Sequence, residues 1–395
     1  MQTGNLSTNP TSVPGRAVLA AVLAALSCFA SAQTLPPEVQ VGTRAITDFE
    51  FDWGRDGVYC PSCNGGAGNA RMAYIDNNHD LWVGNVDVLS GDLVPNTGQG
   101  VLVDNNATTA LEIGNGAEWM VSQRGSELVY TRWTDGQPRT PDYLNLGYAR
   151  MNAGTWLSGP VDNSQLGVLP VGTLDPNDAV PEANFQAYTT SGAPQKLFWR
   201  VVSTGARNNP IPISSNDPGM TRRWVKGTWD IIVTAPAAPD GTGNVYRQVF
   251  LYHTTNNTLE QLTFDPVNKL WAFMWEAPEF GNQNVFFAMT GGTRLDIYRK
   301  LPSTQGGVRW KVVNSITMPP DTPYINSPEP FVFDGRSWIF FTLSADPNFH
   351  DFAPSLIAMT GIVPGTPSLQ LLTSATQPRR ARRDPESFIT ANGPV

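Results

Sequence analysis

The chain has 395 residues with 36 Gly and 33 Pro, and only 15% of its residues are charged, with a net charge of −8. So many Gly and Pro residues exclude an architecture of long helices, because both residues disfavour helix interiors. The acidic balance argues against a nucleic-acid partner and against docking on anionic lipid, since both need clustered Lys and Arg.

The N-terminal residues have the pattern of an export signal. Arg16 precedes the apolar residues 17–26, and Ala30-Ser31-Ala32 precede Gln33. One positive charge, about ten apolar residues and small residues at the −3 and −1 positions are what signal peptidase recognises. We therefore expect a signal peptide over residues 1–32, cleaved near Ala32/Gln33, and a protein of the periplasm or the cell exterior. A lipoprotein signal that uses Cys28 is the alternative.

The remaining residues, 33–395, are predicted to form a single domain without a membrane span. No segment among them approaches the roughly 20 consecutive apolar residues that a membrane-spanning helix needs. The pattern does not indicate an oligomeric state.

Two cysteines occur in the segment Cys60-Pro-Ser-Cys63. In an oxidising compartment this spacing favours a small disulfide that closes a loop. A c-type haem site needs His after the second Cys, where Asn64 stands, and a zinc site needs a second pair of ligands. A disulfide between Cys60 and Cys63 is therefore the expectation.

The rest of the chain reads as short strands separated by turns. Apolar runs rich in Val, Ile, Phe, Tyr and Trp are bounded by Gly, Pro, Asn and Asp, which is typical of β-structure. The clearest predicted strands cover residues 127–132, 197–202, 249–253, 285–289 and 338–342.

A repeated motif links these strands. A Glu, often preceded by Pro, is followed by an aromatic residue, a turn and an apolar strand. The copies contain Glu118-Trp119, Glu182 with Phe185, Glu279-Phe280, Glu329 with Phe331, and Glu386 with Phe388. Successive glutamates lie 64, 97, 50 and 57 residues apart, and most of these spacings suit one four-stranded unit.

Four-stranded antiparallel units of this kind bury both faces only when they stack around an axis. The fold prediction is therefore an all-β propeller of four-stranded antiparallel blades, with a β-sandwich as the alternative. Five blades follow if residues 204–244 are an insertion, and six follow if Trp229-Asp-Ile-Ile-Val belongs to an additional blade. Five are favoured.

Two family resemblances follow from particular segments. Residues 248–263, with Leu-Glu-Gln-Leu-Thr at their end, resemble the repeat of TolB-like propellers. Residues 327–342, Ser-Pro-Glu-Pro-Phe-Val-Phe-Asp-Gly-Arg-Ser-Trp-Ile-Phe-Phe-Thr, are similar to blades of five-bladed glycoside hydrolases of the arabinanase and xylosidase type.

The repeated glutamates are the candidate functional residues. The first strand of each blade lines the channel of a propeller, so Glu118, Glu182, Glu279, Glu329 and Glu386 are expected to approach one axis. Carboxylates gathered in this way can perform acid and base chemistry on a glycosidic bond, or they can bind Ca²⁺. The alternative interpretation is structural, in which these glutamates cap strand amides or pair with arginines.

The glycoside-hydrolase resemblance implies an Asp base in the first blade, a Glu general acid and a second Asp that tunes the acid. The matching positions are Asp52 or Asp56 for the base and Glu329 for the acid, with Glu279 as a further catalytic candidate. The family's base usually stands in an Asp-Pro context, which residues 52–56 lack. Trp53 and Trp119 are candidates for stacking on sugar rings.

Two functions of different class remain open. The first is a propeller that binds a glycan, peptide or partner protein on its loop-bearing face, and the second is a glycoside hydrolase with carboxylates in the channel. His79, His253 and His350 have no metal-ligand partner at i+2 or i+4. Of the three, His253 is kept as a candidate functional residue, because it lies on the predicted strand at residues 249–253. The chain end at Asn392-Gly-Pro-Val395 indicates either a truncated repeat or a closing strand that pairs near residues 49–53.

Overall fold

Strands make up nearly all the regular structure of the computed structural model. It describes residues 38, 46–52, 70–94, 100–109, 117–122, 125–140, 143–152, 155–160, 168–171, 185–190, 195–201, 214–215, 222–225, 228–303, 307–350, 353–364, 369–373, 381–382, 385–390 and 393–394. These residues belong to one compact unit, Glu38–Val395. None of the helices among them is long and apolar enough to cross a membrane.

The first sheet contains five strands. In chain order they are β1 (Ile46–Asp52), β2 (Arg71–Asp76), β3 (Leu81–Val86), β4 (Leu93–Val94) and β5 (Val101–Asp104). Strands β1 to β4 are neighbours in sequential order, and β5 pairs with β3.

Five four-stranded antiparallel blades follow, each with its strands in sequential order. Blade I contains β6 (Glu118–Ser122), β7 (Gly125–Trp133), β8 (Leu144–Asn152) and β9 (Thr155–Pro160). Blade II contains β10 (Val168–Val171), β11 (Phe185–Thr190), β12 (Gln195–Val201) and β13 (Ser214–Ser215). Blade III contains β14 (Arg222–Trp224), β15 (Asp230–Pro236), β16 (Arg247–His253) and β17 (Thr258–Gln261).

Blades IV and V follow in chain order. Blade IV contains β18 (Lys269–Ala277), a short 3₁₀ turn at Pro278–Phe280, β19 (Gln283–Thr290), β20 (Arg294–Pro302) and β21 (Val308–Thr317). Blade V contains β22 (Tyr324–Phe333), β23 (Arg336–Ser344), β24 (Ser355–Gly361) and β25 (Gln370–Leu371). The chain then forms a small hairpin of β26 (Ile389–Thr390) and β27 (Gly393–Pro394).

Strand β19 shows why the sequence has continuous apolar runs rather than strict alternation. Val285, Phe287 and Met289 pack in a cluster with blade V, whereas Phe286 and Ala288 pack in a cluster with blade III. Successive side chains of a strand point to opposite faces, and a blade in the middle of a propeller has a neighbour on each face. Both sets are therefore apolar.

The first sheet packs on blade I in the same way. Ile75, Leu81 and Val83 of the first sheet share one buried cluster with Leu128 and Tyr130 of blade I. A second buried cluster lies on the other face of the first sheet and contains Tyr74 together with Phe388 from the C-terminal segment.

The predicted fold class, an all-β propeller of four-stranded antiparallel blades, is confirmed. The number of four-stranded blades agrees with the five that were favoured, and the first sheet adds a further sheet of five strands. Residues 204–244 are not an insertion, however. Strands β14 and β15 lie in this range and form half of blade III.

The C-terminal segment also differs from expectation. Strand β26 pairs with β27, and no pairing of β26 with β1 occurs among the described residues. Phe388 instead packs its ring against Phe51 of β1, with ring centroids 4.9 Å apart. The segment therefore reaches the first sheet by side-chain packing, because its strand is only two residues long and is used within its own hairpin.

Candidate functional site

The first strand of each blade lies at one edge of its sheet, and charged side chains from these strands meet. Arg223 on β14 of blade III lies 3.4 Å from Glu329 of β22 and 4.0 Å from Glu118 of β6, measured from Nη2 to the carboxylate oxygen. Blade II stands between blades I and III in chain order, and blade IV stands between blades III and V. One guanidinium that reaches past both intervening blades must point into the centre of the ring.

Glu50 of β1 belongs to the same group, because its carboxylate is among the charges that act on Arg223. We call Glu50, Glu118, Arg223 and Glu329 the axial cluster. The side chains of Arg223, Glu118 and Glu329 are 22%, 16% and 23% exposed. They are thus largely enclosed by protein and still reachable from solvent.

The electrostatics of the cluster hold Arg223 in its charged form. Burial by itself would lower the pKa of this guanidinium, but the carboxylates of Glu118, Glu329 and Glu50 outweigh that effect and raise the pKa above its usual value. The guanidinium also lies over the ring of Phe273 on β18, 5.0 Å from the ring centroid. A cation over an aromatic face is stabilised by the ring quadrupole.

Trp119 connects the cluster to the first sheet. Its indole N–H donates to the backbone carbonyl of Glu50 at 3.1 Å. The Arg71 guanidinium lies over the Trp119 ring at 4.7 Å, and Trp156 contacts the same ring with centroids 6.2 Å apart. Trp119 is therefore a half-buried packing residue beside Glu118 and Glu50.

Backbone irregularities set the directions of the Glu329 and Phe273 side chains. The pairing of β22 with β23 shifts register between Asn326 and Glu329, and Ser327 has a φ of 44°. The pairing of β18 with β19 shifts between Leu270 and Phe273, and Trp271 has a φ of 47°. A bulge turns the side chains that follow it, and such features are common beside functional sites.

Of the predicted site residues, the structure brings together Glu118 and Glu329. Glu279 lies elsewhere. It is in the 3₁₀ turn of blade IV, and its carboxylate accepts hydrogen bonds from the backbone N–H of Ser337 and, at 2.8 Å, from the Ser337 hydroxyl. Glu279 therefore ties blade IV to β23 of blade V and does not face the axial cluster, because the turn carries it beyond the end of its strand.

The remaining predicted residues are placed as follows. Asp52 is the last residue of β1 and pairs with Arg71, but its side chain is outside the described residues. Glu386 is half-buried in the C-terminal segment, two residues before Phe388. Trp53, Asp56, Cys60, Cys63 and Glu182 lie outside the described residues, as do residues 1–37 with the predicted signal peptide.

His253 lies between two carboxylates of blade III. Its Nδ1 lies 2.8 Å from Asp230, and its Nε2 lies 3.6 Å from Glu260. These residues occupy the second, third and fourth strands of the blade, so the arrangement links neighbouring strands and is separate from the axial cluster.

Sequence reasoning missed Arg223 and Glu50. Arg223 stands in a three-residue strand between Arg222 and Trp224, and it belongs to no copy of the Glu-aromatic repeat. Glu50 lies in the alternating run Phe49-Glu50-Phe51, which marks a strand but not a site.

The donor set of the axial cluster does not match a metal centre. A hard cation such as Ca²⁺ needs six to eight oxygen ligands. In the part of the chain that the structure describes, no group of three or more His, Cys, Asp or Glu side chains is arranged to hold a metal ion. Arg223 occupies the space between the carboxylates and already supplies positive charge to them.

Comparisons with known proteins give structural neighbours but no family. No family model matches the chain, and no curated protein matches it. A protein assigned as TolB from Agrobacterium tumefaciens is 12% identical with a TM-score of 0.37, over 69% of this chain and 81% of that chain. The tricorn protease is 10% identical with a TM-score of 0.46, over 82% of this chain and 30% of that chain.

A further neighbour is the β-propeller domain of Cps50 (Swd1) from Myceliophteria thermophila, which is 6% identical with a TM-score of 0.47 over 85% of this chain and 90% of that chain. The neighbours thus include a TolB protein and another β-propeller. The resemblance to glycoside hydrolases stays a prediction. At these identities, function has to be inferred from the residues of the axial cluster.

Proposed function

We propose that the chain is a binding propeller that holds a polar ligand at the axial cluster, the ligand being a glycan, a peptide or a segment of a partner protein. The observation that carries this proposal is the contact of Arg223 with Glu118 and Glu329 from three sheets that are not neighbours. Side chains fixed by separate blades of a rigid ring form a preorganised site, and function commonly resides in such sites on rigid scaffolds.

The chemistry of the cluster suits a ligand with both donors and acceptors. The carboxylates of Glu118 and Glu329 accept hydrogen bonds, and the guanidinium of Arg223 donates them. Hydrogen bonds to charged groups are stronger than those between neutral groups. Ligand hydroxyls or amides can therefore compete with the existing contacts, of which the longer is 4.0 Å.

The binding proposal is tested with the full chain on glycan and peptide arrays, followed by a titration of each ligand found. Glu329→Gln is expected to weaken binding about tenfold or more, because it removes a charged acceptor. Glu276→Gln is the matched control, since Glu276 is an exposed carboxylate on β18. Equal binding by wild type, Glu329→Gln and Glu118→Gln would exclude the axial cluster as the binding site.

Export belongs to the proposal as well, and it rests on the signal-like pattern of residues 16–33. Mass spectrometry of the chain after expression with its own N-terminus is expected to find Gln33 as the first residue in the extracytoplasmic fraction. Recovery of a chain that still begins at Met1 in the cytoplasm would contradict it.

A glycoside hydrolase is the second candidate, favoured by the approach of Glu118 and Glu329 to one nitrogen atom. Acid–base cleavage needs one carboxyl group protonated and the other ionised. A guanidinium within 4.0 Å of both stabilises the ionised form of both, which is less suited to that chemistry. Release of reducing sugar from polysaccharides by wild type, lost in Glu329→Gln, would favour the hydrolase over simple binding.

A further inference from the structure

Strand β21 gives blade IV a long open edge. It contains ten residues, Val308–Thr317, whereas the outer strands β9, β13, β17 and β25 contain six, two, four and two. Within the described residues, β21 pairs with β20 and with no other strand. An outermost strand of this length presents a row of backbone N–H and C=O groups to which another strand can pair.

The end of the β20–β21 hairpin next to its turn is basic. Arg299 lies directly opposite Lys311, Lys300 lies opposite Trp310, and Arg309 lies opposite Leu301. Like charges that face each other across a sheet lower its stability. The pair of Arg299 and Lys311 therefore lowers the stability of the isolated hairpin. This basic group occurs in a chain whose net charge is −8.

None of these four cations forms an ion pair within the described part of the chain. Arg299 donates twice to the side-chain oxygen of Gln283, and Lys311 donates to the carbonyl of Pro302 at 3.0 Å. The ammonium of Lys300 lies over the Trp310 ring at 5.4 Å, and Arg299 lies over the Phe280 ring at 4.7 Å. The groups that orient Arg299, Lys300 and Lys311 are neutral, so no acidic side chain of the described residues compensates the positive charge of this hairpin.

We infer that the open edge of β21 binds an extended acidic peptide segment of a partner protein by strand addition. The backbone of the segment pairs with β21, and its acidic side chains reach Arg309 and Lys311. Main-chain hydrogen bonds supply affinity in this mode of recognition, and alternate side chains supply specificity. The basic edge repels a second copy of itself, which favours a foreign acidic strand over self-association.

This surface lies on the outermost strand of blade IV, whereas the axial cluster uses first strands. The two are tested separately. The probe is a fluorescent peptide of alternating Glu and Thr, and its binding to the full chain is followed by anisotropy. Arg309→Glu is expected to weaken binding about fivefold, since it replaces an attractive cross-strand pair with a repulsive one. Arg336→Glu makes the same charge change at the exposed first residue of β23 in blade V and is expected to leave binding unchanged.

Three further measurements can overturn the inference. A Lys-Thr peptide that binds as tightly as the Glu-Thr peptide would exclude charge recognition. An acidic peptide N-methylated at alternate residues, if it binds as well as the parent peptide, would exclude strand pairing. Binding of a sulfated polysaccharide without binding of the peptide would assign the surface to another class of ligand. The same titration of Glu329→Gln separates the two sites, because peptide binding that is lost in Glu329→Gln and kept in Arg309→Glu belongs to the axial cluster and not to β21.

Discussion

Arg223 is the residue around which the axial cluster is organised. It contacts carboxylates of blades I and V and the Phe273 ring of blade IV. Three carboxylates held near each other repel, and a guanidinium between them offsets that repulsion. The side chain thus has a structural role as well as a proposed binding role.

The structural role predicts the effect of replacing the charge. Arg223→Met keeps an unbranched apolar stem and removes the guanidinium, and we expect it to lower the free energy of unfolding by roughly 1–3 kcal/mol, because the carboxylates lose their counter-charge while only partly screened by solvent. Urea unfolding followed by circular dichroism measures the change. Adding Glu118→Gln and Glu329→Gln is expected to restore part of the loss. Arg336→Met, at an exposed position, is the control and should change stability by less than about 0.5 kcal/mol.

Asp296 is a buried carboxylate of blade IV that is held by hydrogen bonds and by nearby cations. It accepts hydrogen bonds from Arg294 at 2.7 and 2.9 Å and from the Ser315 hydroxyl at 2.7 Å, and Lys269 lies 3.6 Å away. Burial alone would raise the pKa of Asp296, but the hydrogen bonds from Arg294 and Ser315 and the charge of Arg294 lower it below its usual value.

A lowered pKa in the folded state predicts acid sensitivity. The unfolded chain takes up this proton near pH 4 and the folded chain only at lower pH, so the stability from Asp296 is present above that value and is lost as the pH falls. Asp296→Asn should flatten the decline of unfolding free energy between about pH 5 and pH 2, as measured by urea unfolding at each pH. Asp321→Asn, at an exposed position, is the control. A decline equally steep in Asp296→Asn and wild type would contradict the assignment.

At the scale of the element, close packing across strands determines which small residues are required. Gly147 on β8 lies directly opposite Tyr130 on β7. A Cβ atom at Gly147 would lie 2.5–2.8 Å from three atoms of the Tyr130 ring. That ring is fully buried, and its hydroxyl donates to Asp104 at 2.5 Å, which joins blade I to the first sheet.

Gly147→Ala is therefore expected to destabilise the protein by about 1–3 kcal/mol, because the Tyr130 ring must move within a filled interior. Gly159→Ala is a matched control on β9 of the same blade, since nothing lies within 4 Å of a Cβ at Gly159. Thermal unfolding of both variants makes the comparison. Equal melting temperatures for the two variants would show that the ring has room to move.

At the scale of the whole molecule, the C-terminal segment connects the last blade to the first sheet. Arg382 donates to the backbone carbonyl of Ser355 on β24 at 2.6 Å and forms an ion pair with Glu38. Phe388 then packs in the buried cluster of the first sheet against Phe51. These contacts join the two ends of the ring of sheets.

Loss of this connection should loosen the whole ring. Phe388→Ala is expected to lower the free energy of unfolding by about 3–5 kcal/mol, as for other large aromatic residues truncated in a core. Phe264→Ala is the control, because Phe264 is 75% exposed. Urea unfolding measures both variants, and a loss for Phe388→Ala no greater than that for Phe264→Ala would show that the ring does not depend on this contact.

Local patterns in the sequence were sufficient for the fold class. The runs at 249–253 and 285–289 predict strands correctly, since apolar β-branched and aromatic residues between turn residues favour strands whatever their neighbours are. Residues 204–244 were harder to interpret. Gly and Thr lie between strands β14 and β15, and no copy of the Glu-aromatic repeat introduces them. The sequence pattern therefore did not predict that these two strands belong to a four-stranded blade.

Only two of the four residues of the axial cluster, Glu118 and Glu329, could be predicted from the sequence. The repeat drew attention to Glu118 and Glu329, but it placed Glu279 with them, although the carboxylate of Glu279 binds Ser337 instead. The position of a Glu in the motif therefore did not determine the direction of its side chain. A register shift next to Glu329 and a turn at Glu279 send two similar sequences to different places.

The sequence by itself determined that this is a β-protein made of stacked four-stranded units, because strand patterns are local and each unit has to cover its apolar faces. Only the tertiary structure decided that Glu50, Glu118, Arg223 and Glu329 form one cluster. They are separated by up to 279 positions in the chain. Their meeting depends on the closure of the ring and on the bulges of its inner strands, and neither of these is recorded in any single stretch of residues.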